Sequence, residues 1–236
     1  MDRFKKFQVL DGTMLKIIAM ISMVFDHVGD VFFPNALWMR MVGRLAMPIF
    51  AFCIAEGYIH TRDKRKYLIR MGIFALVSEL PFDLAFSHKV FELGHQNIML
   101  TFFIAILALA IHDKILGGKD PGREKVGAGR FMLGFLAVIV MGGIAIFLRS
   151  DYTFFGVGAV YLFYLLRSKT HWFRCFVGVV YLSILRTMGY YITTGLSIIP
   201  LLMYNGKKGR GLKWLFYVFY PGHLLLLFII KTLITG

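Results

Sequence analysis

Nine apolar runs joined by short polar connections constrain this chain more than any other feature. They cover approximately residues 14–32, 36–59, 67–86, 98–115, 131–148, 152–166, 172–185, 190–204 and 212–233. A helix that crosses a bilayer needs about 20 predominantly apolar residues, with a range of roughly 17–25. In hydrocarbon every backbone N–H and C=O must be satisfied inside the segment, which favours helices. The runs therefore predict an all-α, polytopic membrane helix bundle of about nine transmembrane helices. The runs 152–166, 172–185 and 190–204 are short, and Gly195 and Pro200 interrupt the last. Composition agrees: 58% of residues are apolar and 17% charged, where soluble chains average about 45–50% and 25%. Mean hydropathy is +0.69, which excludes intrinsic disorder. Two cysteines, Cys53 and Cys175, both in apolar runs, exclude a disulfide scaffold.

Lys and Arg number 27 against 13 acids, a net charge of +14. In a soluble chain that balance would point to nucleic acid. Here the positions point to topology and to no nucleic-acid partner, because basic residues hold loops on the cytoplasmic side. Every second connection carries a basic group: Arg3, Lys5 and Lys6; Arg62, Lys64, Arg65, Lys66 and Arg70; Lys114, Lys119, Arg123, Lys125 and Arg130; Arg167, Lys169 and Arg174; Lys207, Lys208, Arg210 and Lys213. The opposite connections and the C-terminus hold Arg40, Lys89, Arg149, Arg186 and Lys231, while Lys16 and Arg44 fall inside helices. This alternation requires all nine spans, with the N-terminus inside and the C-terminus outside. The first run carries Asp26 and His27 and ends in no small-x-small site, so it reads as a retained helix, not a cleaved signal peptide. The chain reads as one domain, 1–236, without internal repeats. The glycine-rich loop 117–129 lacks the Lys-Ser/Thr ending of a phosphate-binding loop and reads as a flexible cytoplasmic linker.

Ionisable side chains at membrane depth are expensive, at about 2.5–3.5 kcal/mol each on insertion scales, and mark functional candidates. They are Lys16, Asp26, His27, Arg44, Glu56, Glu79, Asp83 and His223. With the alternating topology, Asp26, His27, Asp30, Arg40, Arg44, Glu79 and Asp83 lie toward the outside and Glu56 toward the inside. His88, His95, Asp151, Arg186, Tyr190 and Tyr191 fall near outer connections. Asp26 and His27 point about 100° apart on a helix, so Asp26 serves a neighbouring helix or pairs with Arg44. Lys16 and His27, eleven residues apart, share a helix face about 16 Å apart along the axis. Together they predict one cavity reaching from one side toward the other. Lys16 by itself could also snorkel to the interface.

Pro48 weakens the second helix one turn after Arg44. Glu56-Gly57 reads equally as a ligand site or a helix contact. Glu79 and Asp83 share a face of the third helix and repel unless a cation, such as Arg44 or Arg186, sits between them. Two carboxylates and scattered histidines have no metal-ligand spacing, so no metal is expected. Trp38, Trp172 and Trp214 read as interfacial anchors.

These residues carry a resemblance. The segments Leu15-Lys16-Ile17-Ile18-Ala19-Met20, Met23-Val24-Phe25-Asp26-His27-Val28-Gly29, Gly43-Arg44-Leu45-Ala46-Met47-Pro48-Ile49-Phe50-Ala51-Phe52, Ala55-Glu56-Gly57-Tyr58, Lys66-Tyr67-Leu68-Ile69-Arg70 and Pro81-Phe82-Asp83-Leu84 resemble the TraX family. The name-giving member of that family acetylates the N-terminus of a conjugative pilin in the inner membrane. The likeness is strong over about residues 10–90; beyond them mainly the hydropathy pattern agrees. TraX is similar in turn to a wider set of membrane acyltransferases, whose first helix carries a basic residue, ten residues and then a histidine, as Lys16 and His27 do here. The resemblance implies a multi-pass protein of the bacterial cytoplasmic membrane. It implies acetyl-coenzyme A (acetyl-CoA) entering from the cytoplasm as acyl donor and an acceptor modified on the outer side. It implies His27 as base or acyl relay, and Lys16 and Arg44 near the donor or the developing charge. Asp26 and Glu56 match family positions, Asp26 being grouped with the catalytic residues and Glu56 with those that bind the donor. Glu79 and Asp83 stand as further polar candidates.

The resulting expectation is an acetyl-CoA-dependent acyltransferase acting on an amine or hydroxyl of a surface acceptor, a protein N-terminus or a glycan. Two rivals stand beside it. One is a proton-coupled secondary transporter, a class that usually shows the internal repeats absent here. The other is a non-catalytic assembly factor for a surface appendage. The charge alternation makes a direct prediction: a topology reporter fused after Gly236 reads as external, and a cytoplasmic signal would rule out nine spans.

Overall fold

The computed structural model describes residues 7–185 and 191–235, and Arg3, Lys5, Lys6, Arg186 and Tyr190 lie outside them. The described residues form α1 (Gly12–Phe32), α2 (Leu37–Gly43), α3 (Ala46–His60), α4 (Lys64–Ser87), α5 (Ile98–Leu116), α6 (Ala128–Phe147), α7 (Thr153–Leu165), α8 (His171–Leu185), α9 (Tyr191–Leu196), α10 (Ile198–Leu202) and α11 (Lys213–Thr235). No strand occurs among them; two isolated bridges join Leu10 to Tyr204 and Gln96 to Ser150. The protein is all-α. Among the described residues four helical segments are long and apolar enough to cross a membrane: Leu37–His60, made by α2 and α3 together, Ile98–Leu116, Ala128–Phe147 and Trp214–Ile234. In α1 and α4 charged side chains dilute the apolar sequence, and α7, α8 and α9–α10 are short.

The run 36–59 is not one helix. It breaks between Gly43 and Ala46 into α2 and α3. Pro48 has no N–H to donate to the carbonyl four residues back, which belongs to Arg44, so the ladder fails there. The run 190–204 is likewise two short helices, α9 and α10, parted at Ser197. Elsewhere local chemistry sets the ends. Asp11 caps α1 by accepting from Thr13 N and Met14 N, both at 2.9 Å. Asn97 caps α5 through Met99 N at 2.9 Å, and Gly117, at φ +68°, closes it.

α5 is central and packs on α3, α4, α6 and α7, while α1 packs on α2, α3 and α11. Contacts sort the residues into two ends. Residues of the basic loops meet at one: Gly12 N donates to Lys207 O at 2.8 Å, and Lys64 pairs with Asp113 at 2.6 Å. The other end joins the α4–α5 and α6–α7 connections through Gln96 N to Arg149 O at 3.0 Å. Met132, Leu133, Leu136, Val140 and Phe147 on α6 point outward, as a lipid-facing surface does.

Where α1 meets α2, Gly43 lies against Asp26, and a Cβ there would fall 2.3 Å from the Asp26 Cβ. No shift of a flexible tip relieves that overlap. Gly43→Ala should cost about 1–3 kcal/mol, the usual range for overpacking. Gly143 in α6 has open space around it, so Gly143→Ala should be neutral or stabilising. Thermal unfolding of both variants in one detergent checks this, and equal midpoints would contradict the close α1–α2 approach.

Candidate functional site

Lys16, on the second turn of α1, looks into a cavity of about 430 Å³ enclosed by α1, α3, α4, α5 and α11. Its mouth is at the basic end, where Lys16, Arg70 and Lys208 stand with His60 and Glu56. The Lys16 ammonium lies 5.0 Å above the Phe216 ring, a cation–π contact that holds the charge at the rim. Deeper in, the walls are apolar: Met20, Phe50, Phe52, Cys53, Ile54, Met99 and Phe102. The cavity ends at Met23, Phe219 and Tyr220. The structure thus carries the expected cavity from Lys16 along the α1 face but closes it one turn short of His27.

Directly behind that closed end, His27 stacks on His223 of α11, with ring centroids 5.0 Å apart. Phe86 presses an edge on His27 at 5.2 Å, and Tyr220 stands at 6.4 Å. The hydrogen bonds fix the tautomers. His223 Nδ1 lies 2.8 Å from the Phe219 carbonyl, which accepts only, so that nitrogen carries the proton. Neutral His223 then offers a lone pair at Nε2, 2.8 Å from His27 Nδ1. His27 Nδ1 must donate, and His27 Nε2 keeps its lone pair. Sequence reading placed His223 at membrane depth but gave it no part in the site; the partner across 196 positions left no local signal.

The other candidates gather at the far end. Asp26 faces α2, where Arg40 pairs with it at 3.3 Å and with Asp30 at 3.2 Å. Arg44 acts on Asp26 electrostatically, as expected, and Arg40 adds a direct ion pair. Arg44 donates to the Tyr152 hydroxyl at 3.4 Å and does not line the Lys16 cavity. The donor-binding role expected of it thus falls at the opposite end from Lys16 and Glu56. Glu79 and Asp83 lie close enough to act on each other and His95 acts on both, while the expected Arg186 falls outside the described residues. Asn97 donates its side-chain amide to Glu79, and Glu92 N donates to Asp83 at 2.9 Å. In that connection Lys89, at 2.5 Å, holds the Glu92 carboxyl below its usual range. No group of three His, Cys, Asp or Glu side chains among the described residues could hold a metal.

The chain matches the TraX protein family over residues 11–231. It belongs to that family. A probable fimbrial assembly protein FimC, serogroup H1, of Dichelobacter nodosus is 28% identical over 246 aligned positions, covering 90% of this chain and 92% of that one. An uncharacterised protein of Rickettsia prowazekii (strain Madrid E) is 34% identical over 91 residues, covering 39% of this chain and 33% of the other. No solved structure matches.

In this TraX chain two polar clusters escaped the sequence reading. Arg174, assigned there to a basic loop, is in the first turn of α8 and only 7% exposed. Its Nη1 meets Glu56 at 2.6 Å, its Nε donates to Phe163 O at 2.6 Å, and its guanidinium lies 4.8 Å over Phe52. Glu56 also accepts from Tyr204 at 3.1 Å and faces His60 at 3.3 Å. Asp113, at the end of α5, accepts from Tyr58 at 3.0 Å, from Lys64 at 2.6 Å and from Tyr164, with buried His112 beside it. The loop 117–129 is not a free linker: Arg167 ties Asp120 at 3.4 Å.

Glu56 is thus bound up in an ion pair while it borders the cavity. Removing one partner of a buried pair costs about 3–5 kcal/mol, and replacing both costs less. Glu56→Gln and Arg174→Met should each lower the unfolding midpoint markedly, and the double variant should recover part of the loss. Full stability of Glu56→Gln would show the carboxylate free of this structural duty.

Proposed function

We propose that this protein is an integral membrane acetyltransferase of nine crossings, with its basic end and N-terminus in the cytoplasm and its C-terminus outside. It moves an acetyl group from cytoplasmic acetyl-CoA to an amine or hydroxyl of an acceptor on the outer side. One observation carries the reading: a cationic mouth, an apolar cavity and a histidine with a fixed lone pair follow one another along α1.

The cationic rim suits the donor's phosphates, and the apolar walls suit its pantetheine arm and acetyl group. At the closed end Met23 and Tyr220 rotate aside so that the thioester reaches the His27 level. The acceptor approaches from the end that holds Asp26, Arg40, Arg44 and Tyr152. Its nucleophile attacks the thioester carbonyl while His27 Nε2 takes its proton. The tetrahedral oxyanion collapses, the C–S bond breaks, and the proton on His27 passes to the departing thiolate. His27 is then neutral again. His223 holds the tautomer throughout, and its carbonyl-bound Nδ1–H keeps its own Nε2 an acceptor. Arg40 or Arg44 supplies positive charge toward the developing oxyanion.

The Dichelobacter relative is named as a probable fimbrial assembly protein, so a fimbrial subunit N-terminus is the first acceptor to test, ahead of a glycan. That name equally favours a non-catalytic assembly factor, in which the Asp26–Arg40 and Glu56–Arg174 pairs only hold helices together. Donor binding separates the two readings.

Purified protein with radiolabelled acetyl-CoA should bind the donor and transfer label to a membrane-embedded acceptor. His27→Ala should lower transfer by about 10²–10⁴-fold with donor affinity unchanged. Lys16→Gln should weaken donor binding about tenfold, or 1.4 kcal/mol. His223→Phe should lower kcat without raising KM for the donor. Wild-type protein that binds no acetyl-CoA, or a His27→Ala variant retaining more than half its activity, would overturn the acetyltransferase reading.

A further inference from the structure

A second cavity, of about 580 Å³, opens at the basic end beside the first and shares Glu56, His60, Tyr204 and Gly206 with it. Its character is different. Arg123, Arg167 and Arg174 line it with His60 and His171, against the carboxylates of Asp120 and Glu56. Two of the arginines are held in place. Arg174 is fixed by Glu56 and the Phe163 carbonyl. Arg167 lies 3.9 Å over the Tyr164 ring, donates to the Tyr164 carbonyl at 3.0 Å and meets Asp120 at 3.4 Å. Arg123 is the exposed member, with 73% of its side chain accessible and Asp120 only at 4.0 Å.

This arrangement exceeds what loop topology asks for. Basic residues that only set orientation can lie anywhere in the cytoplasmic connections. Here Arg123 N and Glu124 N donate to Asp120 O, at 2.9 and 2.8 Å, closing a turn in the loop between α5 and α6, and the Asp120–Arg167 pair ties that turn to the bundle. The fold spends a loop to carry one arginine to the rim of a polar hollow that already holds two. Glu56 is engaged by Arg174 and Tyr204, and Asp120 by Arg167 and Arg123, so three guanidinium groups face two carboxylates and a net positive charge remains at the hollow. Guanidinium groups present a fixed fork of N–H donors that fits phosphate oxygens in pairs. His171 donates its Nε2–H to the Leu201 carbonyl at 2.8 Å and His60 faces Glu56 at 3.3 Å, so the guanidinium groups are the anion donors at this wall.

We infer that this arginine-lined cavity binds a phosphorylated anion, namely the 3′-phosphorylated nucleotide of the acyl donor whose pantetheine arm enters the adjoining apolar cavity. The inference rests on the acetyltransferase reading for its ligand and on the two adjoining cavities for its place. Arg167 and Arg123 grip the phosphates, and Lys16 guards the passage between nucleotide and arm. An anionic lipid headgroup offers the same phosphate chemistry, so the test separates the two sources.

The protein is purified in nanodiscs of neutral phosphatidylcholine, and binding of acetyl-CoA and of adenosine 3′,5′-bisphosphate, which lacks the arm, is titrated. Wild type should bind both. Arg123→Gln/Arg167→Gln should weaken each at least tenfold. Arg123→Gln alone, at an exposed position that leaves packing intact, should weaken each about threefold. Lys16→Gln should weaken acetyl-CoA more than the bisphosphate. Nanodiscs containing one-third phosphatidylglycerol should leave bisphosphate affinity within twofold. Acetyl-CoA binding that is equal in wild type and both arginine variants overturns the inference while sparing the acetyltransferase. Loss of bisphosphate binding in phosphatidylglycerol overturns it in favour of a headgroup site. Arginine-dependent binding of bisphosphate without binding of acetyl-CoA keeps the anion site and removes the acetyl donor.

Discussion

A charge or hydrogen-bonding group placed among apolar helices must find its partner inside the protein, and the whole bundle is arranged around that demand. Glu56 of α3 is met by Arg174 of α8 and Tyr204 after α10. Asp113 of α5 is met by Tyr58 of α3, Lys64 of α4 and Tyr164 of α7. Asp26 of α1 is met by Arg40 of α2. The first two knots tie helices distant in sequence and the third joins consecutive ones, and each lies toward an end of the bundle, where desolvation is least severe. Between the ends the packing is apolar, and there the open space is the cavity along α1.

The same demand explains the histidine pair. Two neutral imidazoles satisfy each other in the apolar interior where a carboxylate would need a cation. The Phe219 carbonyl starts the chain, His223 passes it on, and His27 ends it with a lone pair. A backbone carbonyl inside a helix thereby sets the protonation of a side chain on another helix. The pair stands between a cavity open to the basic end and a polar cluster at the opposite end, so the two ends differ in both charge and access.

Much of this was legible in the sequence. Hydropathy gave the helices 98–116 and 128–147 to within a few residues, because a long uninterrupted apolar helix is a local property, and it placed 12–32 as well despite the charges within it. The shared face of Lys16 and His27 follows from helical geometry and survives as the line of the cavity. The break at Arg44 was signalled by Pro48, though its place four residues earlier depends on which carbonyl loses its donor. What sequence could not supply was partnership. Arg174 looks like a loop cation until α8 begins at His171 and brings it under Glu56. Glu79 and Asp83 look like an unsupported pair until the Asn97 amide and the Glu92 N–H bring donors to them. Asp113 lies at the end of α5, while its partners come from α3, α4 and α7. Pairings across many tens of residues leave no periodic trace in one sequence.

The central claim is that the cavity along α1 delivers a donor from the basic end to the histidine pair. A cryo-electron microscopy structure of the protein with a non-hydrolysable acetyl-CoA analogue tests it most directly. The account predicts the acyl end beside Met23 and Tyr220, on the His27 side, with the phosphates at the basic end. An analogue lodged at the Asp26–Arg44 end, or bound outside the helices with the cavity still filled by side chains, would contradict it.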